Sequence, residues 1–182
     1  MKFFYHILAA AAVLVTSVTA LDLGIELGRT FGGPHGDKFT DLDLVDAGEQ
    51  VHSITVRSAD RVDQVSLDIT DAAGHQSTLK HGGDGGDKET YNLGEGEHII
   101  GIEVHWGKYY GKTRVMYIKF TTNRGRSIEG GTPQDNTDKI AKETAPEGFQ
   151  LGGFTGFAGN ELDSVGAIWT SIPTHMKYGI VD

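Results

Sequence analysis

The 182-residue sequence contains no cysteine, so no disulfide bond can stabilise the fold. Proline is scarce as well, with 4 residues, whereas glycine is abundant, with 26. A chain of this size can bury roughly 70% of the surface that its unfolded form exposes. We therefore expect one domain that is held together by the packing of a single core.

Positive charge is also in the minority, because 16 lysine and arginine residues stand against 25 aspartate and glutamate residues. The formal net charge is −9 at pH 7. A surface of this sign repels phosphate groups instead of releasing their counterions. Nucleic acids and anionic membranes are therefore not expected as partners, whereas neutral ligands are compatible with the composition.

The sequence lacks the common catalytic and metal-binding motifs. No His-Glu-x-x-His, Gly-x-Ser-x-Gly or cysteine nucleophile occurs, and the eight histidines are scattered. The glycine-rich segment 82–88 fits neither a phosphate loop nor a calcium loop, so we interpret it as a surface loop. We expect no enzyme activity, no metal site and no cofactor. A carboxylate pair for glycoside hydrolysis, assembled only by folding, is kept as an alternative.

The first residues have the pattern of a signal peptide. Lys2 precedes an apolar run over residues 7–15, and the small residues of Val18-Thr19-Ala20 form a cleavage pattern. The apolar run is shorter than the roughly 20 residues that span a bilayer. We expect residues 1–20 to be removed and the mature protein to be secreted and extracellular without membrane insertion. An uncleaved anchor or a buried first helix is the alternative.

Short runs of alternating apolar and polar residues predict a β-protein. Val65, Leu67 and Ile69 share one parity, and the polar residues between them share the other. Antiparallel sheets in a sandwich, barrel or prism are predicted. The only helix-like stretch, 136–144, is equally compatible with a loop, and we identify no clear sequence repeat. Similar alternation or plausible strands occur at residues 24–30, 39–45, 51–58, 76–80, 100–106, 116–120, 149–155 and 165–169.

Six segments follow one another in an informative order. They read, along the chain, GGPHGDKFTD, ITVRSADRVDQVSLDI, HGGDGG, LGEGEHIIGIEVHWG, YIKFTTNRGR and GFAGNELDSVGAIW. Together they resemble the jacalin-related lectin family. The resemblance defines a lectin domain over residues 32–172, preceded by an extension or first strand at 21–31 and followed by a tail at 173–182. It implies the β-prism I fold, an all-β arrangement of three four-stranded Greek-key sheets with pseudo-threefold symmetry.

The resemblance also implies a sugar site at one end of the prism, between the glycine-rich first loop and a final Gly-x-x-x-Asp loop. On this chain it places contacts at Gly36 and in the loop from Gly159 to Asp163. We expect the Asp163 carboxylate to accept charge-assisted hydrogen bonds from two adjacent sugar hydroxyls. The backbone N–H groups of Asn160 and Glu161 can donate to other sugar oxygens. The alternative is that Asp163 only caps its own turn.

A third loop, residues 107–112, lies where family members vary their sugar contacts. Tyr109 or Tyr110 can stack on the apolar face of a pyranose there, and packing within the hairpin is the alternative. The first loop departs from the family, since Pro34-His35-Gly36-Asp37 stands where many relatives carry more glycine. Negative charge from Asp37 and Glu161 disfavours sialylated or sulfated glycans.

We therefore predict a secreted carbohydrate-binding lectin that recognises neutral glycans or glycoproteins. Within the family, mannose/glucose binding accompanies an intact chain and galactose preference a processed first loop, and this chain continues upstream of Gly36. Mannose-type sugars are accordingly favoured. Two alternatives stay open: a secreted β-prism protein-interaction module without sugar binding, and a glycan-active hydrolase. Association into a homo-oligomer is compatible with either function.

Overall fold

The computed structural model of the protein describes residues 24–173. The predicted signal peptide and the tail from residue 174 onward lie outside the described residues. Within residues 24–173, no helix is long and apolar enough to cross a membrane.

The described chain consists almost entirely of β-strands, with a single 3₁₀ turn at Thr137–Lys139. Most strands end at glycine-rich or acidic turns, as the clusters of turn-forming residues in the sequence indicate. The strands are β1 Ile25–Leu27, β2 Phe31–Gly32, β3 Asp37–Thr40, β4 Gln50–Ser58, β5 Val62–Thr70, β6 Gln76–Gly82, β7 Asp87–Asn92, β8 Ile99–Tyr109, β9 Lys112–Thr122, β10 Ser127–Gly131, β11 Ile140–Thr144, β12 Phe149–Ala158 and β13 Leu162–Ser171.

The strands form three antiparallel sheets, each built around a long hairpin. Sheet I has the order β1-β13-β12-β3, sheet II β6-β5-β4-β7 and sheet III β10-β9-β8-β11. The short strand β2 also pairs with β13. Because Ile25 lies opposite Thr170 and Phe31 opposite Val165, β1 and β2 occupy one strand position along β13. The prediction of a β-prism I with three four-stranded sheets is confirmed.

One core lies between the three sheets. Val65, Leu67 and Ile69 of sheet II are buried, as their shared parity predicts. The rings of Phe120 from sheet III and Phe154 from sheet I meet edge to face at 5.9 Å. Burying one such side chain contributes about 1.5–3 kcal/mol, so packing of this kind replaces the absent disulfides.

Strand β8 differs from its predicted alternation. A bulge between Ile99 and Gly101 shifts the pairing with β9, so Ile99 enters the core and Ile100 is only half-buried. A bulge places one extra residue on one strand and thereby changes which side chains face inward. The predicted alternation over residues 100–106, in which Ile100 faces inward, is therefore wrong for Ile100.

Two further predicted segments end or fold differently. The strand expected over 39–45 stops at Thr40, because Asp41 starts a turn in which its carbonyl accepts the amide of Leu44 at 2.7 Å. In the helix-like stretch 136–144, Asn136 caps the 3₁₀ turn and the remainder is strand β11, paired with β8. Strand β7 was not predicted, since its sequence, DKETYN, has almost no apolar residue.

Candidate functional site

The structure brings the first and last glycine loops together at one end of the prism. Gly36 has φ +74°, and a Cβ atom added to it would lie 2.5 Å from the carbonyl oxygen of Ala158 and 2.8 Å from Oδ2 of Asp163. Only glycine fits a position with a positive φ and so little space. The amide of Gly33 donates to the carbonyl of Asp163 at 2.9 Å and fixes the two loops against each other.

The last loop is a tight turn between β12 and β13. The amide of Gly159 donates to the carbonyl of Glu161 at 3.0 Å, and Gly159 and Asn160 are exposed. Leu162 follows as a fully buried residue, so it anchors Asp163 at the end of the loop. The predicted residues Gly36, Gly159, Asn160, Glu161 and Asp163 are thus neighbours in space.

The Asp163 carboxylate is paired with an arginine that the sequence did not reveal. Asp163 is only 2% exposed, and its Oδ1 accepts a hydrogen bond from Nη1 of Arg114 in sheet III. Its Oδ2 faces Gly36. Arg114 therefore occupies Oδ1, so hydrogen bonds from two adjacent sugar hydroxyls would have to be accepted mainly by Oδ2.

A chain of alternating charges extends from this pair across the end of the prism. Nε of Arg114 lies 2.7 Å from Oε2 of Glu161, and Nη2 of Arg61 lies 2.8 Å from Oε1 of the same carboxylate. Arg61 also contacts Oδ1 of Asp63 at 3.1 Å. Burial raises the pKa of the Asp63 carboxyl above its usual range, and the positive charge of Arg61 opposes this shift. The order is Asp63, Arg61, Glu161, Arg114, Asp163, and we call these residues the ion network.

The two predicted tyrosines have different surroundings. The guanidinium of Arg61 lies over the ring of Tyr109, 4.5 Å from its centroid, so Tyr109 adjoins the ion network. Tyr110 is 92% exposed, with its ring edge to face against Tyr109 at 4.8 Å. Tyr110 and Gly111 both have positive φ, which is typical of a tight two-residue hairpin turn.

The geometry of Gly36 and Asp163 occurs a second time in sheet II. Gly86 has φ +64°, and a Cβ atom added to it would lie 2.8 Å from Oδ2 of Asp63, the same distance as at Gly36. The amide of Gly83 donates to the carbonyl of Asp63 at 3.0 Å, as Gly33 does to Asp163. The segment 82–88, interpreted from sequence as a plain surface loop, thus belongs to a second constellation of the same shape.

The second loop is braced by an arginine on β4. Nε of Arg57 donates to the carbonyl of Gly85 at 2.9 Å, and Nη2 donates to those of Asp84 at 2.7 Å and Gly86 at 3.0 Å. Three carbonyl oxygens bound by one planar guanidinium fix the curvature of the loop. This loop is therefore held in shape independently of any ligand.

The repeat was visible in the sequence but was not recognised. Residues 32–38 read GGPHGDK and residues 82–88 read GGDGGDK, while 158–165 read AGNELDSV and 58–65 read SADRVDQV. The strands between these segments have diverged, so only the turn residues keep the pattern.

Sheet III keeps only part of the constellation. Its Gly131 packs against the carbonyl of Met116, as Gly32 packs against that of Asp163 and Gly82 against that of Asp63. Methionine stands there in place of the aspartate, so this third copy has no carboxylate.

No metal centre is formed by the residues that the structure describes, since no three histidine, aspartate or glutamate side chains among residues 24–173 cluster as ligands. The polar groups at the candidate site are instead carboxylates that are matched by arginines. Carboxylates of this kind offer charge-assisted hydrogen bonding.

A prism of three sheets with glycine and aspartate loops at one end defines a β-prism lectin domain. The chain belongs to the jacalin-like lectin domain family, whose profile matches residues 28–168. A secreted RxLR effector protein 19 from Plasmopara viticola is 28% identical over 174 residues, which cover 95% of this chain and 96% of that protein. Horcolin from Hordeum vulgare is 31% identical over 116 residues, covering 63% of this chain and 77% of its own.

The fold is also similar to that of a solved lectin. The structure of AcmJRL, described as a mannose binding jacalin related lectin from Ananas comosus, has a TM-score of 0.68. The sequence identity is 21%, and the match covers 81% of this chain and 99% of that one. At this identity the likeness shows the shared fold.

Proposed function

We propose that the protein is a secreted lectin that binds neutral glycans where Gly36 meets Asp163. The observation that carries the proposal is the position of Oδ2 of Asp163 beside backbone that has no room for a Cβ atom. A carboxylate oxygen in such a place accepts charge-assisted hydrogen bonds from sugar hydroxyls, and the exposed Asn160 offers backbone polar groups beside it. Secretion is supported by the pattern of residues 1–20 and by the secreted effector relative.

We further propose a preference for mannose-type sugars. The chain continues without interruption from β1 through β2 into the first loop, which is the arrangement that accompanies mannose/glucose binding in the family. The description of AcmJRL as mannose binding agrees with this preference. Glu161 does not contribute to the repulsion of anionic glycans, because Arg61 and Arg114 neutralise its charge. The repulsion is expected from the exposed Asp37 and from the net charge of −9.

The second constellation supports a second sugar site at Gly86 and Asp63. Its loop carries the same close approach between glycine and carboxylate, and Arg57 holds the loop in place. The third copy, with Met116, has no acceptor and is not proposed as a site. Two sites on one chain would allow a single molecule to bridge two glycan branches.

A glycan array tests the proposal, with protein secreted from the full-length chain. Binding to neutral mannose-containing glycans, with little binding to sialylated or sulfated ones, is the expected result. Binding to no glycan would favour the alternative of a protein-interaction module. Release of sugar from polysaccharides in a parallel turnover assay would favour the hydrolase. A version that carries both Asp163→Asn and Asp63→Asn serves as the matched negative control.

A further inference from the structure

We infer that Arg114 and Arg61 are positioning residues for the two sugar sites, an inference that depends on the proposed function. Arg114 donates a hydrogen bond to Oδ1 of Asp163, and the guanidinium of Arg61 makes an ion contact of 3.1 Å with Oδ1 of Asp63 without a hydrogen bond. Each contact leaves Oδ2 as the oxygen that accepts from the sugar. The carboxylate then offers one defined oxygen instead of two. The arginines act through the aspartates and do not themselves bind the ligand.

The same division of the two oxygens occurs at both sites. At each aspartate, Oδ1 faces an arginine, and Oδ2 lies 2.8 Å from the Cβ position of a positive-φ glycine, Gly36 or Gly86. A single occurrence could be an accident of packing. Two occurrences with the same oxygen assignment indicate that the orientation of the carboxylate is a feature of the sites.

The two arginines occupy equivalent positions of the repeat, two residues before Met116 and Asp63, but each meets an aspartate in a different way. Arg114 is on β9 of sheet III and reaches across to Asp163 in sheet I. Arg61 lies in the loop between β4 and β5 and contacts Asp63 of its own sheet. The position that corresponds to Arg61 in the last loop is Glu161. The repeat of the backbone therefore accounts for the positions of both arginines but not for their partners, since Arg61 meets the aspartate of its own sheet and Arg114 that of another sheet.

Glu161 fixes both guanidinium groups at once. Its Oε1 lies 2.8 Å from Nη2 of Arg61, and its Oε2 lies 2.7 Å from Nε of Arg114. Ion contacts on two sides restrict the rotation of a planar guanidinium. Glu161 thus holds each arginine in the orientation that its aspartate needs.

Burial gives Arg61 a second role. Asp63 is 2% exposed, and burial raises the pKa of its carboxyl whereas the positive charge of Arg61 lowers it. A neutral carboxyl accepts weaker hydrogen bonds than an ionised one. Loss of the arginine would therefore misdirect the acceptor and also weaken it.

Isothermal titration of the secreted protein with methyl α-mannoside tests the inference. The Asp63→Asn background limits the titration to the first site. In that background, Arg114→Met is expected to lower the affinity by about tenfold or more. Arg114→Lys keeps the positive charge, so its affinity should fall by no more than about two thirds as much, measured as log Kd. Once Asp163→Asn is present, Arg114→Met should change the affinity by less than about twofold.

The control variant is Arg124→Met, whose arginine follows the opposite end of β9 and donates to the carbonyl of Glu95. Unchanged affinity is expected for this control. Full affinity in Arg114→Met, or an undiminished effect of Arg114→Met after Asp163→Asn, would overturn the positioning role. If Arg114→Met does not fold, the affinities of Arg114→Lys and of the double variant Arg114→Met with Asp163→Asn, which removes both charges, test the positioning role instead. Absence of any binding by the unaltered protein would instead overturn the proposed function itself.

Discussion

Glu161 and Arg61 join two loops that lie far apart in the sequence, with Oε1 and Nη2 separated by 2.8 Å. Glu161 belongs to the loop of the first proposed site, and Arg61 precedes Asp63 of the second. The contact makes the two sites parts of one ion network, in which the side chains of Arg61 and Glu161 are 21% and 20% exposed. The end of the prism that carries the loops is thus held by charges, while its centre is held by apolar packing.

Glu161→Gln keeps the shape of the side chain and removes its charge from between two arginines. Removing one partner of a buried ion pair costs about 3–5 kcal/mol and of an exposed pair about 0–1 kcal/mol. Glu161 lies between these limits, with 20% of its side chain exposed, so we expect the free energy of unfolding to fall by about 1–3 kcal/mol. Urea unfolding followed by tryptophan fluorescence measures the change. The control is Glu95→Gln, at an exposed position in the loop between β7 and β8. It should change the free energy of unfolding by no more than about 0.5 kcal/mol. An equally small effect of Glu161→Gln would show that the network contributes little.

Gly36→Ala should abolish sugar binding for a steric reason. The added methyl group would lie within 2.8 Å of Oδ2 of Asp163, where a sugar hydroxyl has to bind. The positive φ costs an L-residue about 1–2 kcal/mol in addition. Gly74→Ala is the matched control, because it has φ +90° but nothing within 4 Å of the added atom. Both variants should lose stability in a thermal melt, but only Gly36→Ala should lose affinity. Loss of affinity in both would point to a general effect of strain.

The stability of the protein should decline between about pH 4.5 and pH 7 because of Glu49. Burial raises the pKa of this carboxyl from 4.5 to about 7, although the hydroxyl of Thr170 donates to Oε1 at 3.0 Å. A folded-state pKa above the unfolded value means that the folded protein holds the proton more tightly. The resulting stabilisation is fully present below pH 4.5 and is lost as the pH rises through 7. Its size is of the order of 3 kcal/mol.

Glu49→Gln isolates this effect, since glutamine can still accept the hydrogen bond from Thr170 and does not titrate. Urea unfolding at several pH values from 4.5 to 7.5 should show a flatter profile in the variant. Carboxyls with lowered pKa, such as Asp68 with its bonds from Ser53 and Thr78, act below this window, because their contribution is lost as the pH falls. An identical slope in the variant and the unaltered protein would exclude Glu49 as the cause.

Sugar binding should not depend on a bound metal ion. The site groups described here are carboxylates paired with arginines, and no ligand cluster occurs among residues 24–173. Glycan binding in excess chelator should therefore equal binding in untreated buffer. A loss of binding that calcium or zinc restores would contradict this prediction.

The apolar parity of strands such as β5 predicted an all-β chain because parity is a local property, and the family resemblance supplied the arrangement of the sheets as a prism. The same resemblance, and not a local pattern, selected Gly36 and Asp163, which the structure places beside each other. The sequence could not place Arg114, because an arginine in the middle of a strand has no local pattern that tells which carboxylate it will meet. The bulge at Ile99 was missed for the same reason, since the partner strand decides the register.

Asp163→Asn should lower the stability of the protein as well as its affinity for sugar. At an exposed turn position such a substitution would change the free energy of unfolding by only about 0.5 kcal/mol. Asp163 is in fact buried and paired with Arg114, so Asp163→Asn leaves a guanidinium with a weaker partner. We therefore expect a measurable decrease of the melting temperature, equivalent to about 1–3 kcal/mol.

The most direct test of the central claim is a calorimetric titration of the secreted protein with methyl α-mannoside, repeated for Asp163→Asn in the Asp63→Asn background. If Oδ2 of Asp163 is the sugar acceptor, the affinity should fall by roughly tenfold to a hundredfold, because the charge that strengthens the hydrogen bonds is gone. The variant should still unfold cooperatively, at a lower temperature. An affinity equal to that of the Asp63→Asn protein would contradict the account and remove Asp163 from the site.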